Sequence, residues 1–173
     1  GALLEGHFEL RSGLHSDRFF QCAMVLRYPR QAEKLCAALA EGVRRKLGDG
    51  ARIDGVIAPA MGGLFVGHEV AKALDVLSIF AEKENGRLVL RRGFVIRPGE
   101  RYLVAEDVIT RGGRVQETID IVRAAGGEVP AVAVLVDRSA GQARFDCPVI
   151  SLLTLAPVTH EPARCPLCQK GIP

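Results

Sequence analysis

The chain has 173 residues, of which 48% are hydrophobic and 25% charged, which favours one compact domain and excludes a disordered chain. No apolar run reaches the roughly 18 residues that span a membrane, and the opening GALLEGHFELR lacks the pattern of a signal peptide, so we expect a cytoplasmic protein without membrane contact. The net charge of +3 arises entirely within residues 82–114, which favours a small anionic ligand over nucleic acid.

The predicted elements begin with a small antiparallel unit within residues 1–28, called the hood here, which turns at Ser12 and Gly13. Apolar residues then recur at helical spacing from Ala32 to Leu47 and stop at Gly48, which predicts a helix. GVIAP at residues 55–59 is typical of a short buried strand.

The alternation of strand and helix continues along the chain. We predict helices at 63–74 and 113–125, and strands at 77–80, 102–106 and 131–137. Strands that are apolar on both faces and separated by helices are typical of a parallel sheet covered on both sides. We therefore predict a single α/β domain over residues 1–173, with a central parallel sheet flanked by helices.

Two further segments interrupt this pattern. Asn85 and Gly86 separate extended runs within residues 82–96, which predicts a β-hairpin, called the flap here. The tail from Pro157 has four prolines in 17 residues and is expected to be irregular.

The strongest functional signal is EDVITRGGR, residues 106–114. A hydrophobic strand ends in Glu106 and Asp107, and Gly112 and Gly113 then open a helix. Backbone N–H groups in such a turn bind phosphate, and carboxylates accept hydrogen bonds from the hydroxyls of a ribose. The segment therefore indicates a nucleotide or sugar-phosphate site, against the simpler interpretation of an acidic helix N-terminus.

A second glycine turn, residues 60–63, follows the strand GVIAP. Its amides could face a pyrophosphate group, or its glycines could serve close packing between helix and sheet. Neither the dinucleotide fingerprint nor a Walker P-loop occurs in the chain.

The motif E-D-V-I-T-x-G-G resembles the phosphoribosyl pyrophosphate (PRPP) motif of type I phosphoribosyltransferases. The segments GHFELRSGLHSDRFF, VIAPAMGGLFVGHEVAKAL, FAEKENGRLVLRRGF, VLVDRSAG and CPLCQKGIP extend the resemblance to the bacterial orotate phosphoribosyltransferase family over nearly the whole chain. This resemblance implies transfer of ribose 5-phosphate from PRPP to N1 of orotate, which gives orotidine 5'-monophosphate and pyrophosphate in pyrimidine biosynthesis. It also implies Mg2+ bound with PRPP, and a homodimer whose flap acts in trans.

The resemblance further implies roles for individual residues. Those expected to be catalytic are Lys83, Arg87 and Asp107. Those expected to bind PRPP are Glu106, Asp107, Val108, Ile109, Thr110, Arg111, Gly112, Gly113, Arg114, Lys83 and Arg11. Those expected to bind orotate are Thr110, Arg138, Phe19 and Phe20.

This chain departs from the family motif at two positions. Arg111 and Arg114 stand where the family usually has threonine and serine, which removes two hydroxyl donors but adds two groups that bind phosphate. The family's catalytic flap lysine also has no clear counterpart. Two alternatives therefore stay open: a purine-type phosphoribosyltransferase, and a non-catalytic regulator that senses PRPP or a nucleotide.

The cysteines and N-terminal histidines give no clear metal signal. His7 and His15 have no metal-ligand spacing. The C-x-x-C pair Cys165 and Cys168, with His160 five residues before it, lacks a fourth ligand that the sequence identifies. We therefore expect no metal site, with the histidines structural and the two thiols unpaired at the surface. Cys36 is expected in the core, on the apolar side of its helix.

Overall fold

The computed structural model describes residues 1–10, 13–156 and 158–172 of the chain. Its strands are β1 (Leu3–Glu9), β2 (His15–Phe20), β3 (Gly55–Pro59), β4 (Leu77–Glu84), β5 (Arg87–Leu90), β6 (Tyr102–Ile109), β7 (Val132–Asp137), β8 (Val149–Thr154) and β9 (Thr159–His160). Its helices are α1 (Ala23–Leu26), α2 (Pro29–Leu47), α3 (Leu64–Leu74), α4 (Gly113–Ala124) and α5 (Pro166–Gln169), with a 3-10 turn at Pro162–Arg164.

A six-stranded sheet with the order β5-β4-β3-β6-β7-β8 forms the centre of the fold. Strands β4, β3, β6, β7 and β8 pair in parallel, whereas the edge strand β5 runs antiparallel to β4. The predicted α/β architecture with a central parallel sheet is confirmed. None of the helices in the described residues has both the length and the apolar character needed to cross a membrane.

The two faces of this sheet are buried under different helices. Side chains alternate along a strand, so in β3 Val56 packs with the cluster of α2 and α3, while Ile57 packs with that of α4. The first cluster includes Leu39, Val43, Val66, Val70 and Leu103, and the second includes Val104, Val115, Ile119 and Val122. Burial on both faces explains why these strands are continuous apolar runs.

The predicted boundaries need three corrections. Helix α2 begins at Pro29, because proline is well suited to the first turn of a helix. Strand β6 extends to Ile109, so the acidic pair lies within the strand. Strand β4 extends to Glu84, so the flap continues a core strand, and Asn85 and Gly86 form its turn at φ 49° and 85°.

The hood and the tail form a second, three-stranded sheet with the order β1-β2-β9. The antiparallel pairing of β1 with β2 confirms the predicted hood, although Ser12 of its turn lies outside the described residues. The expectation of an irregular tail is wrong, because it contributes β9, the 3-10 turn and α5. Strand β8 is a further addition to the predicted elements, since no helix of the described residues lies between β7 and β8 to continue the alternation.

Candidate active site

The acidic pair lies where the carboxyl ends of β3, β6 and β7 meet, which is the edge at which parallel sheets bind ligands. Glu106 is buried, and its Oε1 accepts a hydrogen bond from the Asp107 amide at 3.0 Å. Asp107 Oδ1 accepts one from the Val108 amide at 2.8 Å. Among the described residues, no lysine or arginine forms an ion pair with either carboxylate.

Glu106 is held in an environment that disfavours its ionised form. Burial and the adjacent charge of Asp107 raise the pKa of Glu106 to about 9, while Arg114 acts in the opposite direction. The carboxyl group is therefore mostly protonated at neutral pH in the free protein. A ligand that brings hydroxyl groups or a cation to this edge would supply the hydrogen-bond donors or the positive charge that the two carboxylates lack.

Two glycines in the turn after β3 leave room for the acidic pair. A Cβ atom on Gly62 would lie 2.9 Å from Asp107 Oδ1, and one on Gly63 would lie 3.0 Å from Glu106 Oε1. Side chains at these positions would displace the carboxylates. Close packing in this turn is therefore observed, with the acidic side chains as the packed groups, and contact of its amides with a pyrophosphate group stays a prediction.

The turn from Thr110 to Gly112 leads into the N-terminus of α4. Gly112 has a φ of 80°, and a Cβ there would lie 2.9 Å from both Ala143 Cβ and Phe145 Cζ, so the position requires glycine. No side chain of the described residues caps α4, which leaves its first N–H groups available to an anion. The helix N-terminus thus has the form expected of a phosphate site.

The side chains of this segment divide into two groups. Thr110, Arg111 and Arg114 are exposed, and neither arginine forms an ion pair within the described part of the chain. The side chains of Val108 and Ile109 instead pack against the two core clusters. Because these side chains face the core, the contact of the two residues with PRPP stays a prediction that concerns their main-chain groups.

Arg138 follows β7 at the same edge of the sheet, where its amide donates to the Ile109 carbonyl at 2.8 Å. Its side chain lines a cavity of about 60 Å³ together with Leu3, Arg18, Phe20, Leu155 and Ala156. Burial lowers the pKa of Arg138, and no carboxylate in the described ranges forms an ion pair with it. A partly desolvated guanidinium in an apolar pocket can bind the anionic group of a flat ligand through charge-assisted hydrogen bonds.

The hood contributes one of its two adjacent phenylalanines to this cavity. Phe20 lines it on the same strand face as Arg18, whereas Phe19 points to the opposite face and packs on Phe8 with the ring centroids 5.6 Å apart. Contact of the two rings with the base stays a prediction, and Phe20 is the ring that lies beside Arg138. Arg11, expected to reach PRPP, lies outside the described residues.

The flap holds two kinds of basic residue. Arg91 pairs with Glu84 at 3.0 Å, and Arg92 pairs with Glu82 at 3.0 Å, so these cations are engaged within the flap. Lys83 and Arg87 are exposed, and neither forms an ion pair in the described residues. The two cations predicted to be catalytic are thus free to meet a ligand.

Cys22 is a neighbour of the site that no sequence motif indicated. Its thiol donates to the Asp107 carbonyl at 3.7 Å, and its side chain is buried. Burial and the charges of Asp107 and Glu106 raise the pKa of Cys22 to about 12, so the thiol is neutral and serves packing. Cys36 is fully buried in the core, as predicted.

The expectation that both thiols of the C-x-x-C pair lie at the surface is wrong for Cys165. This residue is fully buried, whereas Cys168 is exposed. Both sulfur atoms lie beside His7 Nε2, at 3.7 Å for Cys165 and 3.6 Å for Cys168. His15 completes this group of four, called the His–Cys cluster here. The cluster lies in the sheet of hood and tail, separate from the acidic pair.

Known proteins resemble this chain in sequence over most or all of its length. The family model described as "Phosphoribosyl transferase domain" matches residues 26–167. A protein of Desulforamulus reducens named orotate phosphoribosyltransferase is 50% identical over 173 residues, which cover 100% of this chain and 88% of that protein. A protein of Pelotomaculum thermopropionicum with the same name is 53% identical over the same share of both chains.

Solved structures show the same architecture. The orotate phosphoribosyltransferase of Aeropyrum pernix superposes with a TM-score of 0.70 at 28% identity, covering 89% of each chain. The adenine phosphoribosyltransferase of Thermoanaerobacter pseudethanolicus has a TM-score of 0.68 at 20% identity, covering 80% of this chain and 88% of the other. The second likeness concerns the fold alone.

Proposed function

The chain belongs to the phosphoribosyltransferase family, and on that premise we propose that it is an orotate phosphoribosyltransferase. It transfers the 5-phosphoribosyl group of PRPP to orotate: the bond from C1 of the ribose to N1 of orotate forms, the bond from C1 to pyrophosphate breaks, and N1 loses its proton. Relatives with this name are 50% and 53% identical over the whole chain. The observation that carries the choice of orotate is Arg138, a partly buried cation that lines an apolar cavity.

PRPP binds, in this proposal, along the carboxyl edge of the sheet. The 5-phosphate lies at the N-terminus of α4, where uncapped amides and the helix dipole favour an anion. Arg111 and Arg114 add charge to this phosphate site in place of the family's hydroxyl groups. The ribose hydroxyls then reach Glu106 and Asp107, whose carboxyl groups have no cationic partner in the described residues.

Mg2+ bound with PRPP is part of the same proposal. Two adjacent carboxyl groups supply the hard oxygen ligands that this ion prefers, so the donor set fits. Glu106 and Asp107 would hold the ion, and when bound it neutralises negative charge on the diphosphate. The same two carboxyl groups orient the ribose through its hydroxyls.

The chemistry requires stabilisation of charge rather than a protein nucleophile. Positive charge develops on the ribose as negative charge develops on pyrophosphate, and a fixed cation near the leaving group lowers that barrier. Lys83 and Arg87 supply this charge from the flap, and we propose that they do so across the interface of a homodimer. Arg91 and Arg92 are less suited, since both are paired with flap glutamates.

Orotate is held by its carboxylate and its ring. Arg138 binds the carboxylate, and Phe20 packs against the base. Thr110 offers a hydroxyl at the start of the turn of residues 110–112, called the phosphate turn here. Uracil would leave the Arg138 guanidinium without its partner, which costs about 1–3 kcal/mol for a buried polar group. The site therefore favours orotate over a pyrimidine that lacks the carboxylate.

A direct assay tests the proposal. The protein is mixed with PRPP and Mg2+ and then with orotate, uracil, adenine, hypoxanthine or guanine, and consumption of each base is followed by absorbance. We expect turnover of orotate, with at least about a hundredfold preference over uracil, or about 2.7 kcal/mol. Turnover of a purine instead would favour the purine-type enzyme, and PRPP binding without turnover of any base would favour the regulator.

A further inference from the structure

Four possible metal ligands meet in the sheet that joins the hood to the tail. The ligand atoms of His7, His15, Cys165 and Cys168 all lie within 4.8 Å of one another. His7 and Cys165 are 158 residues apart in sequence, so the fold alone brings them together. We propose that this His–Cys cluster is a structural zinc site.

The separations between these atoms approach those of one tetrahedral coordination sphere. Typical zinc–sulfur and zinc–nitrogen bonds place ligands about 3.3–3.8 Å apart. Cys168 Sγ lies 3.6 Å from His7 Nε2 and 3.2 Å from His15 Nδ1, and Cys165 Sγ lies 3.7 Å from His7 Nε2. The two histidine nitrogens, 2.7 Å apart, need to separate by about 0.6 Å to accept the ion.

The second nitrogen of His7 supports the assignment independently. His7 Nδ1 lies 2.7 Å from the Ile172 carbonyl oxygen, to which it donates when protonated. This hydrogen bond fixes the tautomer whose Nε2 carries no proton and can bind a metal ion. Histidine ligands are commonly oriented in this way by a backbone carbonyl.

A bulge in the hood places the two histidines on one face. The pairing of β1 with β2 shifts by one residue between Glu5 and Phe8, after which Glu9 lies opposite His15. Because residues two apart in a strand share a face, His7 then lies on the side of Glu9 and His15. Without the shift, His7 would face away from the cysteines.

The tail needs an attachment that apolar burial does not supply. Cys165 is the only buried residue among the described residues 158–172, and α5 buries no residue. The ladder between β2 and β9 consists of the pairs His15 with His160 and Ser16 with Thr159. Small segments with little core are commonly held by a metal or a disulfide, and metal binding then contributes directly to their folding.

All four ligands come from the protein, so the site has no open position for a substrate. Closed sites of cysteine and histidine are typical of structural zinc, and this ligand set favours zinc over Mg2+. The ion would tie α5 and β9 to the hairpin that carries Phe20. Its role is thus to order the hood, apart from the chemistry at the acidic pair.

Metal analysis of the full chain tests this inference. The protein is produced with zinc, dialysed against metal-free buffer and analysed by mass spectrometry for metals, beside the variants Cys168→Ser and His15→Gln. Matched controls are Cys147→Ser, a cysteine outside the cluster, and His160→Gln, whose backbone pairs with His15. We expect about one zinc per chain in the wild type and controls, and less than about a fifth of that in both cluster variants.

Two further readouts do not depend on enzymatic activity. Cobalt substituted for zinc should give the visible absorption of a tetrahedral thiolate site in the wild type and lose it in Cys168→Ser. A strong chelator should lower the melting temperature of the wild type but leave that of Cys168→Ser unchanged. A wild type without stoichiometric zinc, or a Cys168→Ser variant with as much zinc as the wild type, would overturn the proposal.

Discussion

Asp107 is the less buried partner of the acidic pair, and its charge is expected to hold the ribose of PRPP. The variant Asp107→Asn keeps the shape of the side chain and removes that charge. We expect kcat/KM for PRPP to fall at least about tenfold, which corresponds to about 1.4 kcal/mol. The control is Asp120→Asn, on the exposed side of α4, where the aspartate contacts Gln116 instead of the site. A variant at Asp107 as active as this control would show that the carboxylate does not bind substrate.

Glu106 makes the stability of the free protein depend on pH. Its pKa is about 9 in the folded chain and near the ordinary value of 4.5 in the unfolded chain, so the folded state retains the proton longer. The stability that this group contributes is therefore full below pH 4.5 and is lost as the pH rises towards 9. Ionisation of Glu106 then weakens the fold.

The variant Glu106→Gln should remove this dependence. We expect its melting temperature to differ little from the wild type near pH 5 and to exceed it increasingly as the pH rises to 9, where each kcal/mol corresponds to about 2–4 °C. Thermal unfolding without substrate at a series of pH values measures the difference. A constant offset between the two curves would contradict the assigned pKa.

At the scale of elements, the phosphate turn depends on the backbone of Gly112. Its positive φ and the close contacts with Ala143 and Phe145 leave no room for a side chain, whereas a Cβ on Gly113 would meet no atom of the described residues within 4 Å. We expect Gly112→Ala to lower the free energy of unfolding by about 1–3 kcal/mol, and Gly113→Ala to change it by less than about 0.5 kcal/mol. Urea denaturation of both variants checks this. Equal stability of the two would show that the turn tolerates a side chain.

Mixing two variants tests whether the flap acts across the interface of the proposed dimer. One chain carries Lys83→Ala with Arg87→Ala, and the other carries Asp107→Asn. In the proposed homodimer, each parent variant is expected to have strongly reduced activity. A mixed dimer has one intact site if the flap acts in trans, so an equal mixture should recover about a quarter of wild-type activity.

The control for this mixing experiment replaces the flap variant by Arg91→Ala with Arg92→Ala. These arginines are paired within the flap, so we expect that chain to keep its activity without complementation. If verified mixed dimers stay as inactive as both parents, the flap acts within its own chain.

At the scale of the whole molecule, the sequence predicts strands and helices that follow a local pattern. It does not predict contacts between residues that are distant in sequence. Strands β3, β6 and β7 are apolar on both faces and alternate with helices, so their pattern predicts them. The pattern does not predict β8, because no helix of the described residues separates it from β7. The acidic pair and phosphate turn lie in one continuous segment, which is why the sequence alone predicts them as one candidate site.

Contacts between distant segments cannot be predicted in this way. The His–Cys cluster combines the hood with the tail, and neither half has metal-ligand spacing by itself. The sequence assigns Phe19 and Phe20 to one role because it does not show which face of β2 meets Arg138. The assignment of Gly62 and Gly63 to packing likewise requires the positions of the carboxylates in the neighbouring strand.

The kinetics of Arg138→Ala with both substrates test most directly whether this chain recognises orotate through Arg138. Arg138 follows β7 and the phosphate turn follows β6, so the two binding functions should be separable. We expect kcat/KM for orotate to fall at least about a hundredfold, or about 2.7 kcal/mol, while the Kd for PRPP changes less than about threefold. Unchanged orotate kinetics, or an equal loss of PRPP binding, would contradict the assignment of Arg138 as the group that recognises the orotate carboxylate.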